Sequence, residues 1–173
     1  MNRALTDPDL TLIGISGKQF AGKDQLAHIL LECLPGFRQL PLALAIKTAY
    51  AEREGITLEA LEANKAAHRP GLIALGDWGR AQDAHYWLKK VLAAPGKKIV
   101  SDVRLQREFD GLKAAGGYLI RLEADRAVRA ARGTIVSEFD TTECELDHET
   151  RWDAVLTNNG TLEELRSQVA GLL

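Results

Sequence analysis

The residues from Gly17 to Asp24 are those in this chain best suited to chemistry. Gly17, Gly22 and Lys23 fit the spacing G-x-x-x-x-G-K. In that pattern the backbone N–H groups of the loop, Ala21 included, surround a polyphosphate, and the lysine reaches its outer phosphates. A helix starting here turns its positive dipole end into the same pocket. Three fixed positions of such common types recur by chance at roughly 3 × 10⁻⁴ per start, so the flanking sequence matters. An apolar β-branched run precedes the loop and an amphipathic stretch from Asp24 to Leu34 follows it, which reads as strand, loop and helix in the required order. Where Ser or Thr would normally supply a hydroxyl, this chain has Asp24. A carboxylate there repels phosphate unless a cation intervenes, so Asp24 binds Mg²⁺, pairs with a nearby base, or caps the helix.

Further candidates follow other apolar runs. Lys18 is either a second phosphate contact or a solvated loop lysine. Asp102, after Ile99 and Val100, is either an acid orienting Mg²⁺ and its waters or the cap of the next helix. Arg104, two residues on, has the guanidinium geometry for bidentate contact with an acceptor phosphate. Arg126, Arg129 and Arg132 are spaced by three and share roughly one helical face, either as solvated charges or as a lid that neutralises transition-state charge. Lys65, Arg69 and Arg80 are candidates to hold an acceptor phosphate. Trp78 and Trp87 read as packing residues before stacking platforms. Glu143, Glu145 and Asp147 form an acidic cluster that contacts a ribose, orients lid arginines, or is simply an exposed loop. His28, His68, His85 and His148 fall in no catalytic or metal pattern.

These residues need a scaffold that brings distant segments to one edge. Apolar runs at 10–15, 37–42, 98–101, 118–122 and 154–156 read as strands. Helical patterns between them imply βαβ units and a mostly parallel sheet covered on both faces. Ligands in such sheets bind beyond the carboxyl ends of the strands, where the glycine loop, Asp102–Arg104, the arginine series and Asn158–Gly160 all fall. The stretch from 44 to about 94 holds helical patterns at 44–54, 58–67, 71–82 and 86–93, more than one crossover requires, and part of it is expected to hold substrate. At 173 residues, 46% hydrophobic and 27% charged, the chain suits one globular domain. The net charge of −2 gives no support to extended nucleic-acid binding, and no apolar run reaches membrane-spanning length. The N-terminus lacks the apolar core of a secretory signal. Cys33 and Cys144 fit no metal spacing, which suggests a reduced, cytoplasmic setting.

At these residues the chain resembles P-loop kinases of the group containing deoxynucleoside monophosphate kinases and animal-type phosphomevalonate kinases. The loop from Gly17 to Asp24 matches the group's G-K-x-x-x-G-K-D variant, and Ser101-Asp102-Val103-Arg104 resembles its S-D-V/T-R segment. The stretch from Glu143 to Asp147 resembles S/T-E-x-x-L-D, and Asn158 to Leu165 resembles the group's C-terminal stretch. The resemblance implies a three-layer α/β fold with a five-stranded parallel sheet in the order 2-3-1-4-5. It implies one kinase domain over 1–173, with a helical acceptor-binding region near 44–94 and a short lid near 125–140. ATP phosphates would lie on Gly17, Gly22 and Lys23, and Mg²⁺ or phosphate would be organised by Asp24 and Asp102. Lys18, Arg80 and Arg104 would bind the acceptor, Arg129 or Arg132 would act from the lid, and Asn159 and Gly160 would lie near the adenine. The expected activity is ATP–Mg²⁺-dependent phosphorylation of a phosphate monoester, first a (deoxy)nucleoside monophosphate and second phosphomevalonate, by a monomer or homodimer. A catalytically silent nucleotide-binding module is a further alternative. A guanine-nucleotide switch is disfavoured because no N-K-x-D motif occurs.

Overall fold

A computed structural model of the chain describes residues 4–173. They fall into two compact units, one made of the residues up to Gln39 with Gly96–Leu173, the other of Leu40–Pro95.

The first unit is a five-stranded parallel sheet with helices around it. Its strands are β1 (Leu12–Ser16), β2 (Phe37–Gln39), β3 (Lys97–Val103), β4 (Tyr118–Glu123) and β5 (Ala154–Thr157), in the order β2-β3-β1-β4-β5. The expected order is the observed one. β1 is the central strand, with helices packed on the faces of the sheet, and all five of its residues are buried, which is why its sequence is a continuous apolar run rather than an alternating one. Leu10, expected to begin that strand, is buried in the turn before it. The core combines Ile13 and Ile15 of β1 with Ile99, Ile120, Leu122 and Leu156 of its partners. Against them pack Leu26, Ile29 and Leu30 of α1 (Lys23–Cys33) and Leu165 and Val169 of the last helix, Leu162–Ala170. That last helix is fixed at its start by a reciprocal cap: Thr161 Oγ1 accepts from Glu164 N, and Glu164 Oε2 accepts from Thr161 N.

The second unit is helical: α2 (Leu42–Glu54), α3 (Leu58–Ala63), α4 (Lys65–Gln82) and α5 (Tyr86–Ala93). It has its own core of Tyr50, Ala51, Leu61, Leu75 and Trp87, and Trp87 Nε1 donates to Gly76 O at 3.1 Å, so Trp87 is a packing residue. The helical patterns at 58–67 and 71–82 leave a gap between them, whereas the break occurs at Asn64 and α4 runs through that gap, Pro70 included. Pro70 is the sixth residue of α4, just beyond the unpaired N–H groups of the helix start, and forfeits the single bond its own N–H would have made. Likewise β2 stops at Gln39 rather than Leu42, because Leu42 already begins α2.

In the first unit the helices are completed by α6 (Gln106–Ala114) after β3, α7 (Arg126–Arg132) and α8 (Thr141–Cys144) between β4 and β5, and α9, the last helix already described. Among the described residues no helix is long and apolar enough to cross a membrane.

Candidate active site

Gly22 is where the loop turns into α1. Its φ of 102° lies in the left-handed region that glycine adopts without penalty, and a Cβ there would come within 2.4 Å of Asn158 Nδ2. Asn158 is buried after β5 and donates to Ala21 O at 2.8 Å, so the β5 loop fixes the far end of the glycine loop.

Lys23, the first residue of α1, folds back over that loop. Its Nζ donates to Gly17 O at 2.6 Å and to Lys18 O at 3.0 Å. Burial, then repulsion from Arg104, lowers its pKa from 10.5 to about 8, while Glu143 and Asp24 pull the other way. A buried cation beside backbone carbonyls and other cations gains most from an incoming polyanion. Gly22, Lys23, Asp24, Arg104 and Arg132 share the lining of one open cavity of about 540 Å³.

The N-cap of α1 is Gly22, which has no side chain to cap with, and Asp24 stands in the first turn, where its charge suits the helix dipole. Its Oδ1 accepts from Gln39 Nε2 at 3.1 Å, and the same amide donates to Ser101 Oγ at 2.7 Å, tying the start of α1 to β3 beside Asp102. Asp102 lies within β3 and does not cap the next helix. Glu108 fills that place, its Oε2 accepting from Arg104 N at 2.8 Å and Leu105 N at 3.0 Å; burial raises the Glu108 pKa. Among the described residues no group of three or more His, Cys, Asp or Glu gathers as for a fully protein-ligated metal. Mg²⁺ takes one or two carboxylates and keeps much of its water, so Asp24 and Asp102 are donors of the right kind.

The expected lid arginines face the glycine loop. Arg132 Nη1 donates to Phe20 O at 3.2 Å and Ala21 O at 3.3 Å, and its Nη2 to Asn158 O at 2.7 Å. Arg129, buried, donates to Ala124 O at 3.2 Å and Gln19 O at 3.4 Å. Arg126 pairs instead with Glu138 at 3.0 Å. Phe20, a non-glycine residue at φ 60°, is thus held by a guanidinium on its own carbonyl.

The acidic stretch is not merely an exposed loop. Glu143, its side chain 4% exposed, accepts from Gln19 N at 2.9 Å and from Arg104 Nη1 at 2.7 Å. Asp147 pairs with Lys18 at 2.7 Å and with Arg121 at 3.2 Å. Arg121, buried in β4, also donates to Ser16 Oγ at 3.1 Å. Lys18 and Arg121 line a smaller cavity of about 140 Å³. Asn159 Oδ1 accepts from Asp125 N at 2.7 Å, joining the β4 and β5 ends, and Gly160 leads into the capped helix α9. Sequence reasoning missed Arg121, Gln39 and Glu108, and gave Asn158 a place at the ligand edge but no role. Only Arg121 had a usable signal: an arginine inside an otherwise apolar parallel strand needs a buried partner.

Arg69 and Arg80 belong to the helical unit. Both, with Lys47, line a cavity of about 230 Å³ whose remaining walls are Ala43, Ile46, Leu72, Ile73 and Gly76. Arg80 pairs with Asp77 at 2.7 Å, and Lys47 with Glu62. The two cysteines are free thiols.

The family model for phosphomevalonate kinase matches residues 15–116. A protein of Acanthamoeba polyphaga mimivirus, provisionally named a deoxynucleotide monophosphate kinase, is 44% identical over 71 residues, 41% of this chain and 33% of its own length. The match thus spans a third of that relative. Among solved structures, shikimate kinase from Aquifex aeolicus superposes with a TM-score of 0.53 at 15% identity, over 91% of this chain and 92% of that one. A Thermus thermophilus protein gives 0.53 at 19% identity over 94% and 96%, and a sugar kinase from a Janibacter species 0.51 at 16% identity over 94% of each. At such identities these structures establish the fold alone.

Proposed function

Because the chain belongs to the phosphomevalonate kinase family, we propose that it transfers the γ-phosphoryl group of ATP to the phosphate of a small phosphate monoester. The observation that carries this reading is the cavity where Gly22, the desolvated Lys23, Asp24, Arg104 and Arg132 converge. Phosphoryl transfer asks for little covalent help: donor and acceptor must be held in line and their charge neutralised. Loop amides and Lys23 bind the donor phosphates, and Arg104 and Lys18 meet the charge between donor and acceptor. Asp24 and Asp102 are the residues that would hold Mg²⁺, which when bound neutralises charge on the outer phosphates. An acceptor phosphate is already an anion at neutral pH, so no general base is required. Asn159 and Gly160 lie on the adenine side of this scheme, and Arg69 and Arg80 hold the acceptor.

The first reading of the acceptor is a (deoxy)nucleoside monophosphate, supported by the viral relative's name and by Trp78, half-exposed and edge-on to Tyr86 at 5.5 Å, a surface on which a base can stack. The second is phosphomevalonate, favoured by the aliphatic walls and three cations of the helical unit's cavity, which suit a small branched polyanion. Incubation with ATP–Mg²⁺ and a panel of nucleoside monophosphates and phosphomevalonate, reading ADP release, tests both. One acceptor should raise turnover at least about tenfold over the acceptor-free rate, within the reach of positioned phosphoryl transfer. If none does, the kinase reading fails and a silent nucleotide-binding module remains.

A further inference from the structure

Glu143 is the buried acid nearest the phosphate-binding loop, and its two oxygens do different things. Oε2 accepts the backbone N–H of Gln19, inside the loop, at 2.9 Å. Oε1 accepts Arg104 Nη1, from the end of β3, at 2.7 Å. The side chain is 4% exposed against 37% for Arg104. Arg104 lines the large cavity together with Lys23, whereas Glu143 stands behind it. Both carboxylate oxygens are satisfied by the protein, and both partners are fixed at the backbone: Arg104 N by Glu108, and the Gln19 carbonyl by Arg129.

Resting on the reading of the cavity as a polyphosphate site, we infer that Glu143 is a positioning residue that acts through Arg104. It holds the guanidinium toward the cavity and locks it to the loop, so that the arginine and the loop amides present one preorganised cradle. A gate that swung away when phosphate arrived would have to leave a buried, doubly bonded site and strand the Gln19 N–H and an arginine. Glu143 therefore stays in place when an anion binds. Without it Arg104 would swing among solvated rotamers, and an incoming anion would bear the cost of ordering it. The neighbouring acid Asp147, paired with Lys18 and Arg121, braces the preceding loop residue in the same manner.

The test is a double-mutant cycle read by calorimetry with inorganic tripolyphosphate at pH 7.5, which fills the cavity with anion and needs no identified acceptor. Glu143→Gln keeps the shape but not the charge. It should weaken binding roughly tenfold, the scale of one charge-assisted hydrogen bond. Arg104→Ala should weaken it at least as much, and the double variant should be no weaker than Arg104→Ala alone. A merely structural role for Glu143 would multiply the two losses, and a gating role would make Glu143→Gln bind more tightly; either result overturns the inference, as does an unchanged affinity. If Glu143→Gln does not fold by near-UV circular dichroism, Glu143→Asp replaces it; one methylene shorter, it cannot span both partners and should show the same non-additive loss. Wild-type protein that binds ATP but not tripolyphosphate overturns this inference alone. Wild-type protein that binds neither overturns the kinase reading with it.

Discussion

Lys23 carries a charge that the fold has made costly to keep. With its pKa lowered to about 8 by burial and by Arg104, the free protein begins to lose that proton within the physiological range. The unfolded chain holds the same proton to about 10.5, so between those limits the unfolded state binds more protons and stability rises with pH. Ligand binding runs the other way, because a polyphosphate needs the ammonium. Affinity for ATP, measured by calorimetry in EDTA so that no metal enters, should be level below pH 8. Above it, affinity should fall toward tenfold per pH unit; a level profile to pH 10 would remove Lys23 from the donor site. Lys23→Ala should abolish both the pH dependence and most of the turnover while leaving the far-UV circular dichroism intact. At this scale the sequence was informative where spacing carried the signal: Gly17, Gly22 and Lys23 converge as their pattern requires. It was silent on Gln39, whose amide bridges Asp24 and Ser101, because a glutamine at the end of a short strand has no pattern of its own.

At the level of elements, the sheet and its helices present the loop, and the segment after β4 grips it. Acids at 143 and 147 take the loop's donors and its lysine, while arginines at 129 and 132 take its carbonyls. That arrangement was hidden in the sequence, since acidic and basic runs look alike whether solvated or buried. The strand order was legible because continuous apolar runs mark buried parallel strands. The break between α3 and α4 was not, since the helical pattern at 58–67 runs straight through Asn64. Glu108 offers a test of how β3 hands over to α6. Its carboxylate serves Arg104 N and Leu105 N, yet burial raises its pKa, so the ionised form costs stability as pH climbs through the folded-state value. Glu108→Gln keeps an acceptor without the charge. It should leave urea stability at pH 7 unchanged or higher and flatten its fall with rising pH. Glu108→Ala strands two N–H groups and should cost about 1–2 kcal/mol. Equal stabilities for the two variants would mean that an acceptor at 108 contributes nothing to the turn.

The chain as a whole separates into a sheet unit that carries the glycine loop and a helical unit with its own core and its own cation-lined cavity. Length and composition suggested one domain, and the helical patterns suggested that part of the region near 44–94 holds substrate. The division falls at Leu40 and Pro95, near the limits of that region, because the helical patterns there exceed what a single crossover uses. Arg69 and Arg80 are eleven positions apart, three turns of α4, which puts them on one helix face but about 16 Å apart along its axis, so spacing alone did not show that they line one cavity. If the donor is held by the sheet unit and the acceptor by the helical one, the two affinities should be separable by mutation. Arg69→Ala with Arg80→Ala should raise the acceptor KM by at least about tenfold, as expected when charge-assisted hydrogen bonds are removed from a partly exposed site. The dissociation constant for ATP should stay within about twofold, since additivity holds between independent sites. Loss of ATP affinity by the same amount would mean that these arginines serve the donor, and an unchanged acceptor KM would move the acceptor elsewhere. The size of the effect across acceptors also discriminates between them. An acceptor with two anionic groups on a short aliphatic frame depends on both arginines at once, so its KM should rise more than that of a nucleotide, whose base has other surfaces to lean on.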